Sequence, residues 1–499
     1  MLDAVFIKKD IGVTSLNSQV VRAAGWVIAL KASVRMLGLV STVFLARLLN
    51  PEDFGLIAII MAFFALIEIL GNFSFDTVLI QKQKASPADY NTAWSFNVTF
   101  GVVAFLIAVC SANWMAEFYA DPRIESVMLV LSLLFLISGS QNVGVVDFRK
   151  NLTFEKEFRY QLLPKLISFF ATLGLAFWLQ SYWALVFGSL IWRILVFVSG
   201  YLLHDFRPRF TYSEWRQLFR FSKWLMINNV FFFVNNRSPE MIIGKILSPQ
   251  AAGFFTISQE ISTLPTSDVA ANITAATYPG YCKISHLPVE LKKMYLAVME
   301  SISFFVIPAG VGISLVAHVL VPVVLGPKWL DTIPLVQYLS LAGALMAMSS
   351  NTGAVFMAVG RPRVPTVLAF FRLVITIPLI IWLSMSSGLI GVAQAILGTA
   401  IVVFAVSSGV IHSGLQVPMA AILQVYFRPM MGSLVMASCI YGVNLLLDPN
   451  KMHDILILVV LVFAGVLSYI VGVGAMWYWA GCVEGPEKNI LQYIKKKLV

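Results

Sequence analysis

Long apolar runs, cut by short clusters of charge, proline or glycine, fill almost the whole chain. A run of about 20 such residues is long enough to cross a bilayer as a helix. At that length the pattern predicts fourteen helices, over 22–46, 54–80, 92–117, 124–146, 161–180, 182–203, 222–246, 252–278, 297–320, 333–358, 365–385, 388–411, 428–447 and 454–480. The expected fold is therefore an all-α polytopic membrane protein. The first run is interrupted by its own chemistry. Lys31 and Arg35 lie inside it, one turn apart and so on one helical face. A cation at the bilayer centre costs about 2.5–3.5 kcal/mol on insertion scales. Two on one face point towards water or an anionic ligand.

Composition agrees with the pattern. Of 499 residues, 59% are hydrophobic and 12% charged, and the mean hydropathy is +0.83. That balance excludes a soluble domain of this size. The start, MLDAVFIKKD, lacks the apolar core of a cleaved signal peptide, so the first helix is expected to act as an uncleaved insertion signal. The four cysteines show no CxxC pairing, and His318 and His412 stand apart, so no metal site is expected. The net charge of +10 follows the positive-inside rule. Alternating the loops between two sides puts 25 Lys and Arg on one side and 5 on the other. Both termini should then be cytoplasmic and the helix count even. The tally groups Arg372 with Arg361 and Arg363 at one cytoplasmic segment.

The chain also repeats itself. LNPEDFGLIAI, from Leu49, is matched by LSPQAAGFFTI, from Leu247. Asp121-Pro122-Arg123 is matched by Gly326-Pro327-Lys328, and Phe158-Arg159 by Phe371-Arg372. Two six-helix lobes are therefore expected, 1–204 and 205–412. Residues 413–499 would add two more helices and a basic cytoplasmic tail. Copies with an even helix number share one orientation, as in parallel-repeat transporters, with a substrate path expected between them.

The runs LARLLNPEDFGLIAI (45–59), ALIEILGNFSFDTVLIQ (65–81), FSKWL (221–225), TYPGYCKI (277–284), VLGPKWLDTIPLVQYLSLAG (324–343) and AVGRPR (358–363) carry a resemblance. In their order and spacing they resemble the polysaccharide-flippase branch of the MOP superfamily, the Wzx-type subgroup in particular. The resemblance implies translocation of an undecaprenyl-diphosphate-linked oligosaccharide from the cytoplasmic to the periplasmic leaflet of a bacterial inner membrane. Alternating access would drive it, for export of an exopolysaccharide, O-antigen or capsule. A polymerase and a chain-length regulator of the same pathway are the partners it suggests.

A diphosphate requires cations, and arginine matches its oxygens in pairs. Lys31, Arg35, Arg237 and Arg193 are the candidates. Structural pairing is the alternative: Arg237 with Glu240, Arg35 with Glu68, another with Asp76 or Asp268. Lys31 could instead snorkel to the surface. Lys165 is expected to mark the cytoplasmic boundary. Glu68, Asp76, Glu260 and Asp268 could serve H⁺ or Na⁺ coupling, or balance the cations. No other cofactor is implied. Asn228, Asn229, Asn235 and Asn236 could bind glycan hydroxyls, or pack helices together. Pro239 should break or kink their helix. Arg47, Pro51 and Glu52 close the outer end of the first helix, as a tight turn or a gate. A multidrug antiporter from a sister branch is the alternative, although such a cation exporter would want carboxylates without cavity arginines. A membrane polysaccharide polymerase or ligase would want a large external loop, which the pattern lacks. No P-loop is present, and an enzyme is not expected.

Overall fold

The computed structural model describes residues 26, 29–71, 75, 79–80, 82, 85–151, 153–214, 234–447, 452–479, 481 and 487. All regular structure among the described residues is helical. Nine of the helices there are long and apolar enough to cross a membrane. They number ten if Arg123–Gly139 and Val143–Lys150, bent by 62°, form one broken span. The predicted fourteen refers to the whole chain, part of which lies outside the described residues. Two compact units are present, Met1–Phe233 and Val234–Val499.

The first unit contains α1 (Ala29–Leu48), α2 (Pro51–Gly71) and α3 (Pro87–Tyr119). It continues with the broken span α4 (Arg123–Leu131), α5 (Leu133–Gly139) and α6 (Val146–Lys150), then α7 (Phe154–Leu179) and α8 (Trp183–Leu203). A capping box starts α3: Ser86 accepts from the Asp89 amide, and Asp89 accepts from the Ser86 amide at 2.8 Å. Asp89 is fully buried and also binds Lys82 at 2.8 Å. The closely spaced pair α7 and α8 is possible because Gln180 takes a left-handed φ of 45° and turns the chain at once. The two helices also approach closely, since Gly188 lies where a Cβ would collide with Thr172.

Beyond α8 the chain does not leave the unit. Residues 204–214 run as a strap across the start of α3. The Arg209 amide donates to Asn91 Oδ1 at 2.8 Å, and the Thr211 amide to Ser95 Oγ at 2.9 Å. The Thr99 and Tyr212 hydroxyls are 2.6 Å apart. Buried Asn142 donates to the carbonyls of Gly200 and Phe206.

The second unit contains α9 (234–246), α10 (Pro249–Ile284), α11 (Pro288–Val324), a 3-10 turn (Pro327–Thr332), α12 (Ile333–Ala358) and α13 (Arg363–Leu415). Two further helices follow, α14 (Met419–Leu446) and α15 (Asp454–Trp479). At 53 residues α13 would reach about 80 Å at 1.5 Å per residue, far beyond one bilayer. Gly388, with φ 60° and ψ −139°, breaks it into two spans. The predicted boundary between 385 and 388 meets that break. Pro239 does not break α9, which runs on to 246. A proline removes one backbone donor, and a single lost bond does not end a helix held by its neighbours. The core of this unit packs Ile302, Val306, Val355, Phe356, Ile411 and Tyr426 from α11 to α14.

Candidate functional site

In the first unit, α1 presents Lys31 and Arg35 one turn apart, both exposed. A second polar centre lies on α2, α7 and α8. Arg193 of α8 faces Glu68 of α2 at 3.7 Å. The guanidinium carbon of Arg193 is 5.2 Å from the ring centre of Trp192, and Lys165 Nζ of α7 is 5.1 Å from the same ring. The close packing at Gly188 explains the meeting: Trp192 lies one turn beyond it, and Lys165 two turns from Thr172 on the same face. Glu68 thus pairs with Arg193 rather than with Arg35, as one expected pairing had it. Lys165, expected as a boundary marker, joins this centre, and Trp192 joins with it. The Trp192 ring thus lies near two cations, and the Arg193–Glu68 pair is partly exposed. The 3.7 Å pair is loose enough for a stronger anion to compete for Arg193.

The end of the unit where α1 meets α2 is ionic. Arg47 is exposed and Pro51 is buried at the start of α2. Arg123 donates to Glu52 at 2.5 Å and to Asp121 at 2.7–3.2 Å. Asp121 lies between α3 and α4. Burial presses its carboxyl upward, but the Arg123 side-chain and backbone hydrogen bonds outweigh this and hold it below its ordinary value. The Asn50 amide donates to Asp53 at 2.9 Å and anchors the turn.

In the second unit, Arg237 reaches Glu240 at 3.2 Å, the i+3 pairing expected as the structural alternative. Glu240 is 5% exposed. Asn235 is buried and donates to the Ala369 carbonyl of α13 at 3.1 Å, while Asn236 is half-buried. Glu260 and Asp268 are half-buried on α10. Asp76, Asn228 and Asn229 lie outside the described residues. Arg372, counted with a cytoplasmic segment, lies inside the first half of α13.

A cavity of about 920 Å³ opens among α11, α14 and α15. Its walls are apolar and include Phe304, Ile313, Met436, Tyr469 and Trp477. The Tyr469 hydroxyl donates to the Phe304 carbonyl at 2.7 Å and fixes α15 to α11. Glu487 also lines the cavity, paired with Arg428 of α14 at 3.6 Å. An apolar groove with one charged end suits an amphiphile. No local motif announces it, because each wall is an ordinary membrane helix.

A family model described as polysaccharide biosynthesis protein matches residues 44–334, more than half of the chain. The protein belongs to this family. The lipopolysaccharide biosynthesis protein WzxC of Escherichia coli strain K12 is 24% identical over 387 residues, covering 77% of this chain and 79% of the relative. Among solved structures, the lipid II flippase MurJ in an inward closed conformation aligns with a TM-score of 0.75 at 17% identity, over 90% of this chain and 99% of that one. An inward-facing multidrug resistance MATE family transporter of the MOP superfamily aligns at 0.60 and 15% identity, over 77% and 95%. The fold is thus that of the MOP helical transporters, and the chain is a multi-pass membrane protein of the polysaccharide biosynthesis family.

Proposed function

We propose that the protein is a flippase for an undecaprenyl-diphosphate-linked oligosaccharide, moving it from the cytoplasmic to the periplasmic leaflet by alternating access. The observation that carries this reading is the coexistence, in a polysaccharide-biosynthesis family member, of arginines within apolar spans and a separate apolar groove. A lipid-linked sugar needs both, since its diphosphate and its polyprenyl tail demand opposite surroundings. WzxC and MurJ, named for lipopolysaccharide biosynthesis and lipid II flipping, support it.

The roles follow from chemistry. Lys31, Arg35, Arg193 and Arg237 attract the diphosphate, with Arg193 exchanging Glu68 for phosphate. Asn228, Asn229, Asn235 and Asn236 meet the glycan. The groove of α11, α14 and α15 takes the tail. Glu68, Asp76, Glu260 and Asp268 couple transport to H⁺ or Na⁺, and Arg47, Pro51 and Glu52 form the outer gate. No covalent bond of the cargo changes, so the protein is not an enzyme. It resides in the bacterial inner membrane with both termini cytoplasmic, and delivers cargo to a polymerase and a chain-length regulator.

Liposomes carrying the purified protein and radiolabelled undecaprenyl-diphosphate oligosaccharide test this, with a cationic dye in parallel. Leaflet transfer of the lipid is expected, without dye efflux. Arg35→Ala should abolish transfer while leaving insertion intact. Dye efflux without lipid transfer would reassign the protein to multidrug export.

A further inference from the structure

The charged end of the groove between α11, α14 and α15 is incompletely satisfied. Glu487 lines the groove there. One of its carboxylate oxygens, Oε1, faces Arg428 at 3.6 Å, a long ion pair. The other, Oε2, is buried and has no hydrogen-bond partner among the described residues. A buried carboxylate oxygen without a donor bears the full cost of its lost hydration. Tyr469 is near enough to feel this charge, but its hydroxyl already donates to the Phe304 carbonyl at 2.7 Å.

The charge at this end is also uneven. Glu300 of α11 acts on the same pair, attracted by Arg428 and repelled by Glu487. Among the described residues, two carboxylates thus share one guanidinium. Solvent screens the excess little, since the side chains of Arg428 and Glu487 are 19% and 10% exposed.

The rest of the groove selects the body of the ligand. Its walls are apolar, and Gly312 of α11 keeps them open: a Cβ there would meet only the Met436 side chain, at 3.7 Å or more. Trp477 and Tyr478, at the end of α15, line the groove together with Glu487. Such aromatic residues are enriched at the headgroup level of a bilayer. The occupant must therefore bring apolar chains for the walls and a positively charged hydrogen-bond donor for Oε2. An anionic headgroup adds charge of the wrong sign to the spare carboxylate. A quaternary ammonium has the right sign but no N–H. A primary ammonium has both, with three donors.

We propose that the groove of α11, α14 and α15 binds an aminophospholipid, whose ammonium group docks on Glu487. This goes beyond the flippase reading and does not depend on it. The lipid covers the walls whenever no polyprenyl tail lies between them.

The test uses the purified full chain in detergent and radiolabelled phosphatidylethanolamine. Unlabelled phosphatidylethanolamine, phosphatidylcholine and phosphatidylglycerol with the same acyl chains serve as competitors. The native protein should prefer phosphatidylethanolamine to phosphatidylglycerol about tenfold or more, with phosphatidylcholine between. Glu487→Gln should bring the three lipids to near parity. Gly312→Leu, which fills the groove away from the charge, should weaken all three alike and keep their order. A native protein that holds the three lipids equally would overturn the assignment, as would a preference unchanged in Glu487→Gln. Phosphatidylcholine competing as well as phosphatidylethanolamine would give the site to any cationic headgroup and also overturn it. Unchanged binding by Gly312→Leu would place the lipid outside the groove. Equal loss of all three lipids in Glu487→Gln would expose a purely structural role. Either result would overturn the proposal.

Discussion

The turns at residues 121–123 and 326–328 of the two units occupy matching places in the repeat and are held by different physics. In the first unit, Asp121-Pro122-Arg123 builds an ionic knot, with Arg123 joining Asp121 to Glu52 at the start of α2. In the second, Gly326 takes a φ of 98° and the following turn buries Trp329 completely, 5.9 Å from Phe254 of α10. The helix starts differ likewise. Asp53 serves the amide of Asn50 before α2, whereas Ser248 accepts from the Ala251 amide at 3.0 Å before α10. Both copies place proline at the first helical residue. A duplicated framework can therefore keep its helix boundaries while its joints change from charge to packing.

The contrast predicts an order of damage. Trp329→Ala should cost about 3–5 kcal/mol, the usual loss for a buried aromatic. In detergent it should lower the thermal midpoint and expose the second unit to protease first. Ser248→Ala should cost about 1 kcal/mol, as removed caps do, seen as a smaller shift of the same transition. Arg123→Ala should cost less again, about 0–1 kcal/mol, because the guanidinium is 36% exposed and solvent screens it. A larger loss at Arg123 than at Trp329 would invert the comparison. Acid offers a subtler probe. The Asp121 carboxyl is held below its ordinary value, so its contribution is complete above the unfolded carboxylate pKa of about 3.9. It disappears as the pH falls through the lower folded value. Acid titration should therefore loosen the first unit's turn at residues 121–123, followed by amide exchange in α4, and Asp121→Asn should remove that dependence.

Much of the fold was legible because membrane helices announce themselves by length. The α7–α8 pair and the interruption near Gly388 both appear as short breaks between apolar runs. The proline-led starts of α2 and α10 were visible as a repeat. The polar centres were legible only in part. Spacing on one helix predicted Arg237 with Glu240, since both lie on the same cylinder. It could not find Arg193 with Glu68, whose meeting depends on how α2 and α8 rotate against each other. Lys165 escaped for the same reason, although the small residue Gly188 was a hint of close approach. A charge tally assigns cations to the nearest loop, and Arg372 lies nine residues inside α13.

The strap formed by residues 204–214 has a consequence for biogenesis. The first unit gains the donors from Arg209 and Thr211 only after eight helical segments have already been made. Its last α3 contacts must then wait until about residue 214 leaves the ribosome. A nascent chain halted at 204 should stay open to chaperones and proteases, while one halted a few tens of residues later should be closed. The strap thereby acts as a timer, completing one half as synthesis of the other begins.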